Sequence, residues 1–172
     1  MAPLVRRTWA PRGQTPILRQ RGKHREKVSV AAGLWLSSHR LGLVFRTLVN
    51  DYFNNHRSAV FLQLLMREIP GRMIVIWDGG SMHKGDPIRE AVQRFRPRLQ
   101  LERLPAYAPM LNPVEPIWSW LKYERLSNFA PVDAQQLRKA VVAELTAIAQ
   151  NQETLRNFWH ASDLPFPRTL LL

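Results

Sequence analysis

No cysteine occurs in these 172 residues. Disulfide frameworks and cysteine-ligated zinc sites are thereby excluded, and the composition suits a reducing compartment. Glycine is scarce, with 8 residues, and none builds a Gly-rich phosphate loop, a G-x-S-x-G elbow or a dinucleotide fingerprint. The 5 histidines show no ligand-spaced cluster for zinc. No apolar run approaches the roughly 20 residues that span a bilayer, and Met1 to Arg7 contains no apolar signal stretch. The expected place is the cytoplasm, with no membrane partner. Acid is the other scarcity: 13 Asp and Glu stand against 25 Lys and Arg, a net charge of +12 and a pI near 11.3.

That imbalance is unevenly spread. Residues 1–27 hold eight Lys or Arg and one acid, a net of +7, so over half the excess lies in the first 27 positions. Arg6, Arg7, Arg12, Arg19, Arg21, Lys23, Arg25 and Lys27 line this basic segment, with Trp9 among them. Such a field attracts polyanions, and each cation can neutralise a phosphate without reading sequence. DNA or RNA is the expected partner, against the plainer alternative of a solvated basic face. Length and 45% hydrophobic content suit one domain with a sizeable core.

Residues 1–27 read as an extended segment and a basic loop. Lys27 to Leu36 is β-branched and apolar, which predicts a strand. Leu41 to Val49 could be its hairpin partner across Ser37-Ser38-His39-Arg40. Asn54 to Ile69 has helical spacing at Val60, Leu64, Leu65 and Ile69, stopped by Pro70-Gly71. Met73 to Trp77 suits a short strand buried on both faces. Asp86-Pro87 reads as an N-cap and first-turn proline for a helix to about Arg96. Leu99 to Leu104 is the next strand. Asn112-Pro113 opens another helix. Asp133 and Gln136 pair as a capping box for a C-terminal helix over 133–159, striped by Leu137, Val141, Leu145 and Ile148. Antiparallel strands followed by βα alternation predict a mixed α/β sheet with helices on its faces.

Two acids stand out. Asp78 ends the apolar run Met73–Trp77, at the strand end where open α/β sheets place their sites. It could equally cap a turn into Gly79-Gly80. Glu115 follows after a gap of 36 residues, in Asn112-Pro113-Val114-Glu115, where it could close a capping box or sit charged at a helix N-terminus near a metal or phosphate. Paired carboxylates at a sheet edge can hold hard divalent cations for phosphoryl chemistry. His83, five residues past Asp78, could position a phosphate or a carboxylate, and Lys84 could contact DNA backbone; either could instead be solvated. Tyr107 could stack on a base or form packed wall. Trp118 and Trp120 lie two apart on one helix and face different ways.

Here the chain resembles a known family. LPAYAPMLNPVEPIWSWLK (Leu104–Lys122) resembles the third-carboxylate block of mariner-type DDE transposases in their bacterial insertion-sequence branch. VIWDGGSMHK (Val75–Lys84) resembles the second-carboxylate block, and RRTWAPRGQTP (Arg6–Pro16) the segment just downstream of the first aspartate. The resemblance covers roughly residues 3–167.

It implies an RNase H-like fold and an endonuclease that cleaves transposon ends and joins them to target DNA. Three carboxylates would hold two Mg²⁺ or Mn²⁺ ions, with Asp78 and Glu115 as the second and third. Arg6, Arg7, Arg12, Arg21, Lys23, Arg25, His83, Lys84 and Lys122 are the residues expected on DNA. The departure is at the start. Only Met1 to Val5 precede Arg6, none of them acidic, and Asp51 follows the hairpin and is no substitute. The expectation is a catalytic domain without its first, central strand, without a helix-turn-helix domain, and inactive alone. An upstream fragment of the same transposase could supply the missing aspartate, and a homodimer is possible. The alternative is a non-catalytic basic remnant that binds nucleic acid.

Overall fold

The structure is a computed structural model that describes residues 4–18 and 26–165. Arg21, Lys23 and Arg25, expected on DNA, lie outside the described residues, as does Arg19. The elements run β1 (Val28–Leu36), β2 (Leu41–Val49), α1 (Asn55–Glu68), β3 (Met73–Trp77), α2 (Asp86–Arg94), β4 (Leu99–Arg103), α3 (Glu115–Trp120), α4 (Ala134–Ala149) and α5 (Gln152–His160). Short 3₁₀ turns occupy Ser81–His83 and Pro109–Leu111, and a π turn over Leu121–Arg125 extends α3.

β1 and β2 form an antiparallel hairpin from Val28↔Val49 to Leu36↔Leu41, closed by Ser37 through its amide and hydroxyl contacts with Arg40. β3 and β4 pair in parallel, Met73↔Leu99 to Trp77↔Arg103. The sequence predicts one mixed sheet. Among the described residues there are instead two separate two-stranded sheets, because β1 and β3 make no ladder with each other.

Two hydrophobic clusters sandwich β1, as its period of two requires. Val28, Val30, Ala32, Leu34 and Leu36 pack with Ile117, Leu121 and the buried stripe Leu137, Val141, Leu145 and Ile148 of α4. Ala31 turns the other way, to Leu62 and Leu65 of α1, and joins a cluster that holds Met73, Val75 and Trp77 of β3. The α1 face differs from the expected one. Ser58, Ala59, Phe61, Leu62, Leu65 and Met66 are buried, while Val60 is exposed, since the helix meets both the hairpin and α2. β3 is not buried on both faces either. Ile74 and Ile76 are 61% and 54% exposed, because helices cover only the opposite face of this half-sheet.

Helix ends follow the chemistry of their caps. Asn54 accepts from the Arg57 amide at the start of α1. Asp133 accepts from Gln136 N at 2.7 Å, and Gln136 Oε1 accepts from Val132 N at 2.6 Å, a reciprocal box displaced by one residue from the usual form. Asp86 is the first residue of α2 rather than its cap, which is Gly85 at φ 99°. The single C-terminal helix expected over 133–159 is two helices. Asn151 caps the second by accepting from Thr154 N. Gln152 then pairs with both backbone groups of Leu41, at 3.1 and 2.7 Å, docking α5 on the start of β2.

The N-terminal segment is extended, as expected, and tied down at one place. Leu4 bridges Ser127, Asn128 exchanges hydrogen bonds with Arg6 backbone, and the Arg6 guanidinium donates to Tyr123 O and Glu124 Oε1. Arg125 pairs with Glu144, whose hydrogen bond and charge raise the guanidinium pKa. Asp51 pairs with Arg57 and Tyr52 N, and its carbonyl accepts from Ser29 Oγ, so it is committed to the loop after β2. None of the described helices is long and apolar enough to cross a membrane.

Candidate active site

Asp78 is the first residue beyond β3. Leu104 N donates to Trp77 O at 2.8 Å, so the parallel ladder holds both strand ends level and fixes where the next residues emerge. Asp78 Oδ1 accepts from Gly80 N at 2.8 Å, the expected turn. The same oxygen lies 2.8 Å from His83 Nδ1, so the proton on that nitrogen donates to the carboxylate. The 3₁₀ turn Ser81–His83 brings the ring back, and Trp77 holds it by stacking at 4.4 Å and 6°. Gly80 is required here for space rather than for conformation: a Cβ would come 2.8 Å from Asp78 Oδ1. Among the described residues Asp78 Oδ2 has no partner.

Glu115 arrives by a different route. Four prolines punctuate Leu104–Pro116. Asn112 Oδ1 accepts from Val114 N at 3.2 Å and its carbonyl from Glu115 N at 3.0 Å. The expected helix start at Asn112 is therefore a separate turn; α3 begins at Glu115 itself with Val114 as its cap. The capping-box role for Glu115 is not formed, since among the described residues its carboxylate has no hydrogen-bond or ion-pair partner. Buried Ile117 and Leu121 anchor the helix behind it. Trp118 and Trp120 are both partly buried against the same core, Trp120 edge-on to Phe158 at 5.9 Å.

Asp78, His83 and Glu115 line one cavity of about 710 Å³. Exposed, unengaged carboxylate oxygens are hard donors that suit Mg²⁺ or Mn²⁺, which one or two carboxylates plus substrate phosphates can hold. Among the described residues no group of three His, Asp or Glu converges to ligate a metal. Lys84 and Lys122 are exposed and outside the cavity lining, as are Arg6, Arg7 and Arg12. Arg6 is engaged in anchoring the N-terminal segment.

Sequence reasoning singled out His83, Tyr107 and Trp9 but not their settings. The Trp77–His83–Asp78 arrangement needed the 3₁₀ turn to be seen; the only signal was His83 five residues past Asp78, behind two glycines. Tyr107 is 99% exposed with φ 58°, a left-handed conformation strained for an aromatic residue, in the loop between Asp78's neighbouring strand and Glu115. Trp9 is 100% exposed among the N-terminal arginines.

Comparison with known proteins bears on the fold and the family. The fold matches a chain of the Mos1 transposase paired-end complex with left transposon end, at TM-score 0.61 and 16% identity, covering 93% of this chain and 47% of that one. It also matches a chain of the Mos1 strand transfer complex, at TM-score 0.59 and 17% identity, covering 92% and 46%. This chain thus spans about half the length of those solved chains, and at such identity the likeness establishes the fold, which is RNase H-like. No curated protein matches the sequence. The family model for DDE superfamily endonucleases matches residues 2–138, well over half the chain, with Asp78 and Glu115 both inside the match: this chain belongs to the DDE superfamily endonucleases.

Proposed function

We propose that this chain supplies the second and third carboxylates, Asp78 and Glu115, of a DNA transposase centre that cleaves transposon ends and joins them to target DNA. The observation that carries the reading is that Asp78, just past the end of β3 and with Oδ2 unpaired, and Glu115, at the start of α3 with its carboxylate unpaired, line one cavity. A divalent cation held there would act as a Lewis acid on the phosphodiester. The chain's own contribution is orientation. Gly80 N and His83 hold one oxygen of Asp78 and leave the other for an ion. The third carboxylate comes from an upstream segment of the same transposase, and a homodimer would bring two transposon ends together. Exposed Arg7, Arg12, Lys84 and Lys122 neutralise DNA phosphates, Trp9 can stack on a base, and the protein works on the nucleoid in the cytoplasm.

The test is nicking of supercoiled plasmid with Mn²⁺, with and without the polypeptide encoded just upstream. Nicking is expected only when both are present, and it should vanish in Asp78→Asn and Glu115→Gln. Nicking by the chain unaided that survives Asp78→Asn contradicts the assignment. A second reading, a non-catalytic nucleic-acid-binding remnant, is favoured by the lack of a three-ligand group among the described residues. It requires salt-sensitive DNA binding with no response to metal and no cleavage even with the upstream polypeptide.

A further inference from the structure

Three non-glycine residues among those described have a left-handed backbone: Asn50, Tyr107 and Asn128, with φ of 53°, 58° and 57°. Asparagine tolerates this region, whereas a bulky side chain is an outlier there. Both asparagines also offset the strain within the fold. Asn50 Oδ1 accepts from Lys27 N at 3.1 Å, and Asn128 exchanges hydrogen bonds with Arg6 backbone. Tyr107 has no such offset. Among the described residues it makes no hydrogen bond and no ring contact, and it is 99% exposed. That exposure excludes the packed wall that the sequence left open for this ring. A strained residue without internal support marks a functional position.

The loop that carries Tyr107 is held at both ends. Ala106 and Tyr107 form the crown of an arch between Pro105 and Pro109, whose own φ angles are fixed. At one foot Leu104 N donates to Trp77 O at 2.8 Å. At the other, Leu111 N donates to Ala108 O at 3.1 Å, and Asp163 N to Met110 O at 2.9 Å. Both feet, Leu104 and residues 111–115, line the cavity with Asp78, while residues 105–110 do not. The ring therefore stands outside the cavity, beside its rim. Three residues of chain span at most about 11 Å, so the Tyr107 backbone lies within about three base steps of Leu104.

We propose that Tyr107 is a substrate-positioning residue: its ring stacks on an unpaired nucleobase of the DNA strand whose phosphate lies at Asp78 and Glu115. A stacking platform needs an open aromatic face, and the small neighbours Ala106 and Ala108 leave both faces of this ring uncovered. The net charge of +12 draws a polyanion to the chain, and its bases arrive with its phosphates. A protein partner would need a contiguous apolar patch. Half-exposed Met110 is the only other large apolar side chain exposed among residues 105–110. The base has to be unpaired, because inside a duplex its faces are already stacked. The anchored arch leaves little loop freedom to lose when the base arrives. A base held there would fix the strand's register against the two carboxylates, since the arch shares its feet with their cavity. Stacking itself does not depend on the function proposed above; only the identity of the neighbouring phosphate rests on it.

The test uses the whole chain in EDTA with two fluorescein-labelled strands, a short oligodeoxyadenylate and an abasic strand of equal length. Fluorescence anisotropy reads affinity for the parent, Tyr107→Ala, Tyr107→Phe and Tyr107→Gly. Tyr107→Ala should weaken oligodeoxyadenylate binding by about tenfold, the loss of one base–aromatic stack, and leave the abasic strand unaffected. Tyr107→Phe keeps the ring and should bind within about twofold of the parent. Glycine suits the left-handed backbone, so Tyr107→Gly should match or exceed the parent's Tm while losing affinity as Tyr107→Ala does. Parent affinity in Tyr107→Ala, an equal loss on both strands, or a Phe variant as weak as the Ala variant overturns the inference. So does a lower Tm in Tyr107→Gly, which would make Tyr107 a support of the fold. A dimeric mass lost in Tyr107→Ala with oligodeoxyadenylate binding intact also refutes it, in favour of a protein contact. Asp78→Asn should bind oligodeoxyadenylate like the parent in EDTA. Failure of the carboxylate reading shows instead as nicking or Mn²⁺ binding indifferent to Asp78→Asn, with the Tyr107 result unchanged.

Discussion

Replacing Gly80 by alanine should damage the candidate site while leaving the fold intact, and the structure sets the size of each effect. Gly80 has φ −55° and ψ 151°, which alanine adopts freely, so loss of backbone entropy in the unfolded chain would if anything add about 0.4–1 kcal/mol of stability. The added Cβ would stand 2.8 Å from Asp78 Oδ1. That atom ends a short side chain that can rotate away cheaply. In rotating, it gives up the Gly80 amide and the His83 ring. Hydrogen bonds to charged groups contribute about 1.5–3 kcal/mol; with the Asp78 side chain 60% exposed, about 1 kcal/mol is a better figure. The effect on a bound cation is larger, because loss of the groups that orient a ligand costs roughly tenfold or more in affinity. Gly79→Ala is the matched control, since nothing lies within 4 Å of its Cβ. Mn²⁺ titration calorimetry and thermal melting on both variants check this. The expected result is a roughly tenfold loss of Mn²⁺ affinity in Gly80→Ala alone, with Tm within a few degrees of the parent in both. Equal affinity in Gly80→Ala and parent, or an equal loss in Gly79→Ala, refutes the reasoning.

Two further outcomes follow from burial and charge. Leu145 is 0% exposed in the α4 stripe, so Leu145→Ala should cost about 2–5 kcal/mol and lower Tm by roughly 10 °C. Exposed Val60→Ala on α1 should change stability by no more than about 0.5 kcal/mol, a contrast read in the same melts. Arg7→Ala and Arg12→Ala should each reduce the slope of log affinity for duplex DNA against log salt by about 0.9 if each neutralises one phosphate. Unchanged slopes in fluorescence anisotropy would remove these residues from the DNA interface.

Local signals in the sequence were enough for the hairpin, for β3 and for the face of α4. Ser37–Arg40 is turn-forming between two β-branched runs, and Leu137, Val141, Leu145 and Ile148 repeat at helical spacing with a cap at Asp133. The place of Asp78 just past an apolar strand was legible, whereas the helix expected from Asn112-Pro113 begins only at Glu115. What stayed hidden depends on contacts distant in sequence. The buried face of α1 is set by the hairpin and α2 together, so Val60 faces out and Phe61 faces in. The exposure of Ile74 and Ile76 arises because helices cover only the other face of β3, which the strand's own composition does not record. α5 is only nine residues long, and its docking relies on Gln152 reaching Leu41 backbone. The π turn after Trp120 has no residue pattern of its own; it closes through Leu126 N to Leu121 O at 2.9 Å.

The central claim is that Asp78 and Glu115 serve one ion. Mn²⁺ binding to the parent chain, Asp78→Asn, Glu115→Gln and the double variant, read by electron paramagnetic resonance, tests it most directly. Two carboxylates on one ion are strongly coupled, so each single variant should lose at least about tenfold in affinity and the double variant little more than either. Losses that simply add, or a parent chain whose Mn²⁺ binding ignores both substitutions, would contradict the account.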